Sequence, residues 1–243
     1  MMTGVRMRTA LGTLTLTLLI GLAAPAAGHG ADLAAAQTAF AAGHYAAAAK
    51  TLEAAYADGF RNASCCLAAA TAWRLAGQRG RTVLWLSRAA LLDPGNPRVR
   101  GALAAADVAM PGRLLPLAGR FSPNALVWLA LAGNAVFWVG LTLVHRSGRR
   151  LPRTVLILGA LVVGWLWLEA GASVLTPRLH RRGVIVTPLP ARSAPEAAAE
   201  TLFTLPPGRI VALGPRRDGY RQVADGPDRL GWLPEQGVVD MLP

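Results

Sequence analysis

The chain holds little of what covalent chemistry requires. Its 243 residues include two cysteines and four histidines. The cysteines, Cys65 and Cys66, are neighbours, and adjacent cysteines rarely bridge because a disulfide strains the peptide between them. They read as two small apolar residues on a packed helix, or, in an exported chain, as redox-active thiols or a link between molecules. His29, His44, His145 and His180 fall in different segments, so no metal-ligand spacing emerges and no cofactor is expected. No nucleophile–base pair stands out. Acidic residues are also scarce, 13 against 25 basic ones, for a formal charge of +12. Such an excess suits nucleic acid when it forms a patch. Here much of it lies in Arg6 and Arg8, in the connector 145–153, and in Arg178, Arg181 and Arg182. That is charge flanking apolar segments, and it argues against a nucleic-acid partner.

What the chain has in quantity is apolar length: 53% of its residues are hydrophobic. Two long spans, 124–144 and 154–175, are separated only by His145-Arg-Ser-Gly-Arg-Arg-Leu-Pro-Arg153. Each reaches the ~20 residues that cross a ~30 Å hydrocarbon core at ~1.5 Å per residue. So short a connector implies a hairpin, and its arginines, with no acidic residue beside them, place it in the cytoplasm. Both flanking segments then face the opposite side of the membrane. Residues 1–28 agree with this topology. Arg6 and Arg8 precede the apolar run Ala10–Ala24 and the small residues Ala24-Pro-Ala-Ala-Gly28, the pattern of a signal peptide cleaved after Ala26 or Gly28, or retained as an anchor. Inside the hairpin, Gly133, Gly140, Gly159 and Gly164 offer close helix approach. Trp128, Trp138, Trp165 and Trp167 suit interfacial belts or deeper packing. Asn134 and Glu169 are polar intrusions about 15 and 9 Å deep at ~1.5 Å per residue. A pairing of Glu169 with Asn134 or Arg178, or snorkelling to the surface, accounts for it; a proton or ion path is the other reading.

Residues 29–110 are alanine-rich with helical apolar spacing. Gly43 and Gly77, Leu52 and Leu86, and Ala55 and Ala89 are each 34 residues apart. A 34-residue period of paired helices is the mark of the tetratricopeptide repeat, against a generic alanine-rich bundle as the alternative. The second unit reads as a helix over Cys66–Ala76, a turn over Gly77–Gly80 and a helix over Arg81–Leu92, with a capping helix over Pro97–Met110. Tyr45, Leu52, Trp73, Leu75, Trp85 and Leu86 read as the larger core side chains; such arrays also present a groove for a partner, and Tyr45, Trp73, Arg74 and Arg81 are the candidate contact residues here. Pro111, Gly112, Pro116, Gly119 and Pro123 then make residues 111–123 a linker.

After a short linker, 176–182, the period changes and residues 183–243 read as short strands. Val184–Thr187, Thr201–Leu205, Arg209–Leu213, Tyr220–Val223 and Leu230–Pro234 suit a compact barrel. The leading strand, the turn Leu205–Gly208, the aromatic strand Tyr220–Val223 and the closing Gly231-Trp-Leu-Pro234 resemble the bacterial SH3 domain. That family commonly binds peptidoglycan or peptides without catalytic machinery, which makes Tyr220 and Trp232 candidate contacts; Trp232 reads equally as a packing residue. Tyr220 stands where the family commonly has tryptophan.

The order of parts, a leader, tetratricopeptide-like helices, a two-span hairpin and an SH3-like tail, resembles the BatE-type proteins of the Bat aerotolerance operon. The resemblance covers nearly the whole chain and rests on Gly77, Ala89, Asp93-Pro-Gly95, the hairpin, Leu205–Gly208 and Gly231–Pro234. It implies an envelope assembly with von Willebrand factor A-domain Bat proteins, and a bacterial inner-membrane location with the repeats and the C-terminal domain in the periplasm. The function expected is a non-enzymatic membrane scaffold or adaptor; a peptidoglycan sensor or tether is the alternative, and a redox protein using Cys65 and Cys66 a third.

Overall fold

The computed structural model describes residues 30–108, 117, 120–147, 152–179 and 181–242. The leader, most of the 111–123 linker and the centre of the arginine-rich connector lie outside them. Seven α-helices precede a seven-stranded sheet among the described residues.

The first five helices are α1 (Gly30–Ala41), α2 (Tyr45–Ala57), α3 (Ala63–Leu75), α4 (Arg79–Leu92) and α5 (Pro97–Ala105). They pack in sequence order, each against the next, and the 34-residue period governs their geometry. The starts of α2 and α4 share that spacing, as do those of α3 and α5. The N-caps repeat too: Asn62 accepts from the Cys65 N–H at 2.6 Å and Asn96 from the Arg98 N–H at 3.0 Å. Gly43 and Gly77 turn the chain between paired helices with φ of +78° and +73°. A Cβ would meet nothing within 4 Å at either position, so backbone conformation alone selects glycine there. The turn after Gly77 is shorter than the residues suggest, since Arg79 and Gly80 already belong to α4. The capping helix is shorter as well. Expected to reach Met110, it stops at Ala105, where Asp107 takes a left-handed φ of 52°. Small residues such as Ala49, Ala69, Ala72 and Ala89 are fully buried between the helices, and the Tyr56 and Trp85 rings meet edge to face at 5.0 Å.

Helices α6 (Pro123–Arg146) and α7 (Arg153–Leu179) contain the two apolar spans and pack on each other. Both are long and apolar enough to cross a membrane, and only 6% and 11% of their apolar windows are covered by the rest of the chain. Ser122 caps α6 by accepting from the Ala125 N–H at 3.3 Å. Leu126, Ala130 and Ala170 form a packed level near the repeat side. Close approach holds at two of the four glycines: a Cβ on Gly133 would lie 2.9 Å from Leu166 Cδ1, and one on Gly159 2.7 Å from Phe137 Cε2. Gly140 and Gly164 face open space instead.

The C-terminal strands are β1 (Arg182–Ile185), β2 (Leu189–Arg192), β3 (Thr201–Leu205), β4 (Ile210–Arg217), β5 (Tyr220–Ala224), β6 (Leu230–Pro234) and β7 (Val238–Asp240). They pair antiparallel in the order β3-β2-β6-β5-β4-β1-β7. Where five strands and a barrel were expected, the hydrogen-bonded sheet has seven and is open, with β3 and β7 at its edges. The two additional strands were hidden by Pro190 in β2 and by the brevity of β7. Strand β2 meets β6 only at Arg192–Trp232, so the missing N–H of Pro190 interrupts no ladder on that side. Ile185, Leu205, Val211, Val223 and Leu233 fill the core of this module.

The repeat helices and the sheet are not separate bodies. Helix α4 carries a second apolar stripe, Val83, Leu84 and Leu91, which packs with Val184, Ile210, Val239 and Met241. Gly80, one turn earlier on this stripe, lies against the strand backbone: a Cβ there would be 2.7 Å from Val186 Cα and 2.8 Å from Ile185 O. Arg88 closes the contact, donating from Nε to the Met241 carbonyl and from Nη2 to the Asp240 carbonyl, both at 3.1 Å. The β-module thus covers the outer face of the last complete helix pair, where an array this short would otherwise expose apolar surface.

Candidate functional site

Short loops make successive helices antiparallel, so α1, α3 and α5 point the same way and form one wall. A groove of about 610 Å³ runs across them. Leu33, Ala36, Gln37 and Phe40 of α1, Leu67, Ala68 and Thr71 of α3, and Asn96, Pro97 and Arg98 at the start of α5 line it, with Ala48 and Leu52 at its base. Phe40 remains 37% exposed, an open apolar surface at one end. Arg98 is the only charged residue among the described residues of the lining.

The residues nominated from sequence are distributed differently. Tyr45 is half-buried at the start of α2, its ring edge-on to Phe40 at 5.2 Å, and so borders the groove. Trp73 is buried and its Nε1 donates to Glu53 Oε1 at 2.7 Å. Trp85 donates to the same oxygen at 2.6 Å. Arg81 stacks over the Trp73 ring at 4.4 Å, with its Nη1 3.6 Å from Glu53 Oε2. Trp73 and Arg81 therefore lock α2 to α3 and α4 around one carboxylate. Arg74 is exposed in the last turn of α3 and, like Trp73 and Arg81, does not line the groove. Sequence reasoning passed over Phe40, Leu67 and Arg98, although the repeat marks the wall: Leu33 and Leu67, Gln37 and Thr71, and Ser64 and Arg98 are all lining pairs 34 residues apart.

On the β-module, the register Tyr220–Pro234 and Gln222–Trp232 puts Tyr220 and Trp232 on one face, both half-buried. Arg221, Val223 and Leu233 point the other way and are buried. Arg221 Nη1 donates to both carboxylate oxygens of Asp240, at 2.9 and 3.1 Å.

Glu169 is fully buried near the repeat-side end of the hairpin and accepts from the backbone N–H of Leu117 at 3.4 Å. It lies beside Ala170 and the Leu126–Ala130 level, while Asn134 adjoins Gly133, one turn deeper on α6. The carboxylate thus holds the linker to the hairpin; the side chain of Arg178 lies outside the described residues.

Both thiols are buried, and Cys65 donates weakly from Sγ to the Leu52 carbonyl at 3.6 Å. Burial, reinforced by the neighbouring Cys65, pushes the Cys66 thiol up to about 12, with Arg88 opposing. Burial also raises Cys65. Since the thiolate is the nucleophile, the folded protein at pH 8 should show no reaction with an aromatic disulfide reagent, and two thiols per chain should appear on denaturation. Rapid labelling of the native protein would support the redox reading. Among the described residues no group of three histidine, cysteine or carboxylate side chains is placed to hold a metal ion. Comparison with protein-family models, with curated proteins and with solved structures finds no match to this chain.

Proposed function

We propose that the chain is a non-enzymatic membrane-anchored scaffold whose repeat groove binds a partner protein. The observation that carries this reading is the groove itself: repeat-equivalent residues of parallel helices converge on an apolar concavity held beside two helices able to span a membrane. Its resemblance to BatE-type proteins makes von Willebrand factor A-domain Bat proteins the first partners to test. The arginine-rich connector supports a periplasmic position for the repeats and the β-module, and their mutual contact through α4 supports one side for both.

Deleting residues 29–110 would strip α4 from the sheet, so a point change is the better probe. Ala68 is exposed in the groove wall. Ala68→Arg should abolish co-purification of partners from detergent-solubilised membranes while shifting stability by no more than about 0.5 kcal/mol, as for other surface changes. Retention of every partner would sink the groove assignment. The half-exposed pair Tyr220 and Trp232 on one sheet face supports the alternative, a peptidoglycan tether acting through an SH3-like module. In that case full-length protein binds purified sacculi, Trp232→Ala releases it, and Ala68→Arg has no effect.

A further inference from the structure

The chemistry of the groove specifies more than a partner protein. Its floor and walls combine small apolar residues, Ala36, Ala48 and Ala68, with Leu33 and Leu67. Alanine on facing helices leaves room for a third helix to approach closely. Leu33 and Phe40 are seven residues apart, so the wall spans about 10 Å, or two helical turns, at ~1.5 Å per residue. Polar groups are spaced along it. Gln37 and Thr71 stand in the walls, and Asn96 and Arg98 at the end where α3 and α5 begin. Thr71 Oγ donates to the Leu67 carbonyl, and Asn96 is occupied as a cap, but the Arg98 guanidinium is exposed with no acidic residue among the described lining residues to answer it. An alkyl chain matches the apolar floor, and a fatty-acid carboxylate answers Arg98, but neither answers Gln37 in the wall. A peptide helix answers both.

We propose that the groove takes an amphipathic helical segment of a partner, with small apolar residues on its inner face and a carboxylate at the end that meets Arg98. The proposal rests on the reading of the repeats as a partner-binding site and adds the charge and shape of what binds. The segment enters with its aromatic or aliphatic end against Phe40 and its acidic end against the start of α5. Arg98 then discriminates by charge, and the alanines discriminate by size.

The test uses the full chain in lipid nanodiscs and two fluorescein-labelled helical peptides. They share one Leu/Ala face and differ only in carrying glutamate or lysine at the position that reaches α5. Wild-type protein should prefer the glutamate peptide by about fivefold, the upper range for a solvent-exposed ion pair. Arg98→Glu should reverse the preference, and Ala68→Arg should abolish binding of both. Equal affinity for the two peptides, an unchanged preference in Arg98→Glu, no binding of either, or displacement of both by palmitate would each overturn the proposal. A photocrosslinker at the exposed lining position 64 in native membranes separates this from the broader reading. Capture of a partner through a basic or neutral segment refutes the acidic helix and leaves the scaffold standing, whereas a partner lost with Ala68→Arg and captured through an acidic segment supports both.

Discussion

Gly80→Ala should lower the thermal midpoint of the full-length protein, although the same exchange stabilises an ordinary helix. Alanine gains about 1 kcal/mol over glycine in a helix interior. At Gly80 that gain meets a fixed obstacle, because the new Cβ would fall 2.7 Å from Val186 Cα and 2.8 Å from Ile185 O. Those are main-chain atoms of the strand end and cannot swing aside as a flexible side chain does. Relief requires α4 to withdraw from the sheet, which loosens Val83, Leu84, Val184 and Met241 together and lengthens both Arg88 hydrogen bonds. Over-packing of this kind costs about 1–3 kcal/mol, so after the helix gain a net loss of about 1 kcal/mol is expected, with faster tryptic cleavage around Arg181 and Arg182. Gly101 is the matched control. It lies within α5 with nothing within 4 Å of its added Cβ, and Gly101→Ala should raise the midpoint. Stabilisation by both substitutions would mean that α4 and the sheet do not touch in solution.

That contact was written in the chain in a form easily passed over. Val83-Leu-Trp-Leu86 places four consecutive apolar residues on one helix, and a helix with a single buried face cannot bury all four. Trp85 and Leu86 enter the repeat core, while Val83 and Leu84 face the sheet. Period and composition located the helix pairs and the two apolar spans to within a few residues, because each depends on local pattern. The strands were legible where β-branched runs met turn residues, as at Thr201–Leu205. They were not where tertiary pairing overrides propensity, as at Pro190 and in the three residues of β7.

The groove shows a different limit. Large aromatic and cationic residues are natural nominees for an interface, Trp73 and Arg81 among them. In a chain built largely from alanine, however, the few large side chains are also what the core has available for filling volume. Trp73 and Trp85 were drawn inward, 3% and 2% exposed, and small residues were left to shape the concavity. The 34-residue offset, applied to the first helix of each pair rather than to the turns, would have identified Leu33, Leu67, Gln37 and Thr71 as equivalent wall positions.

Glu53→Ala should be the most damaging substitution of an ionisable residue in the repeat helices, for a reason that charge alone does not supply. Two indole N–H groups, from Trp73 at 2.7 Å and Trp85 at 2.6 Å, converge on Oε1 of this carboxylate. Both rings are buried, so removing the acceptor leaves two donors unsatisfied, each at about 1–3 kcal/mol. Alanine is the better helix former at position 53, so propensity cannot account for a loss. The Arg81 contact is 3.6 Å long between half-exposed side chains, and a pair of that kind contributes under about 1 kcal/mol. The two contributions separate cleanly. Glu53→Gln keeps a carbonyl oxygen for the indoles and removes only the charge, so it should cost about 1 kcal/mol, whereas Glu53→Ala should cost about 3 kcal/mol. Far-UV circular dichroism melts of the two variants in one detergent decide the matter. Equal, mild destabilisation would show that the tryptophans find other acceptors; equal, severe destabilisation would assign the work to the Arg81 ion pair. The expected threefold difference would place the joint between the first and second helix pairs, and hence the curvature of the groove wall, on a single oxygen atom.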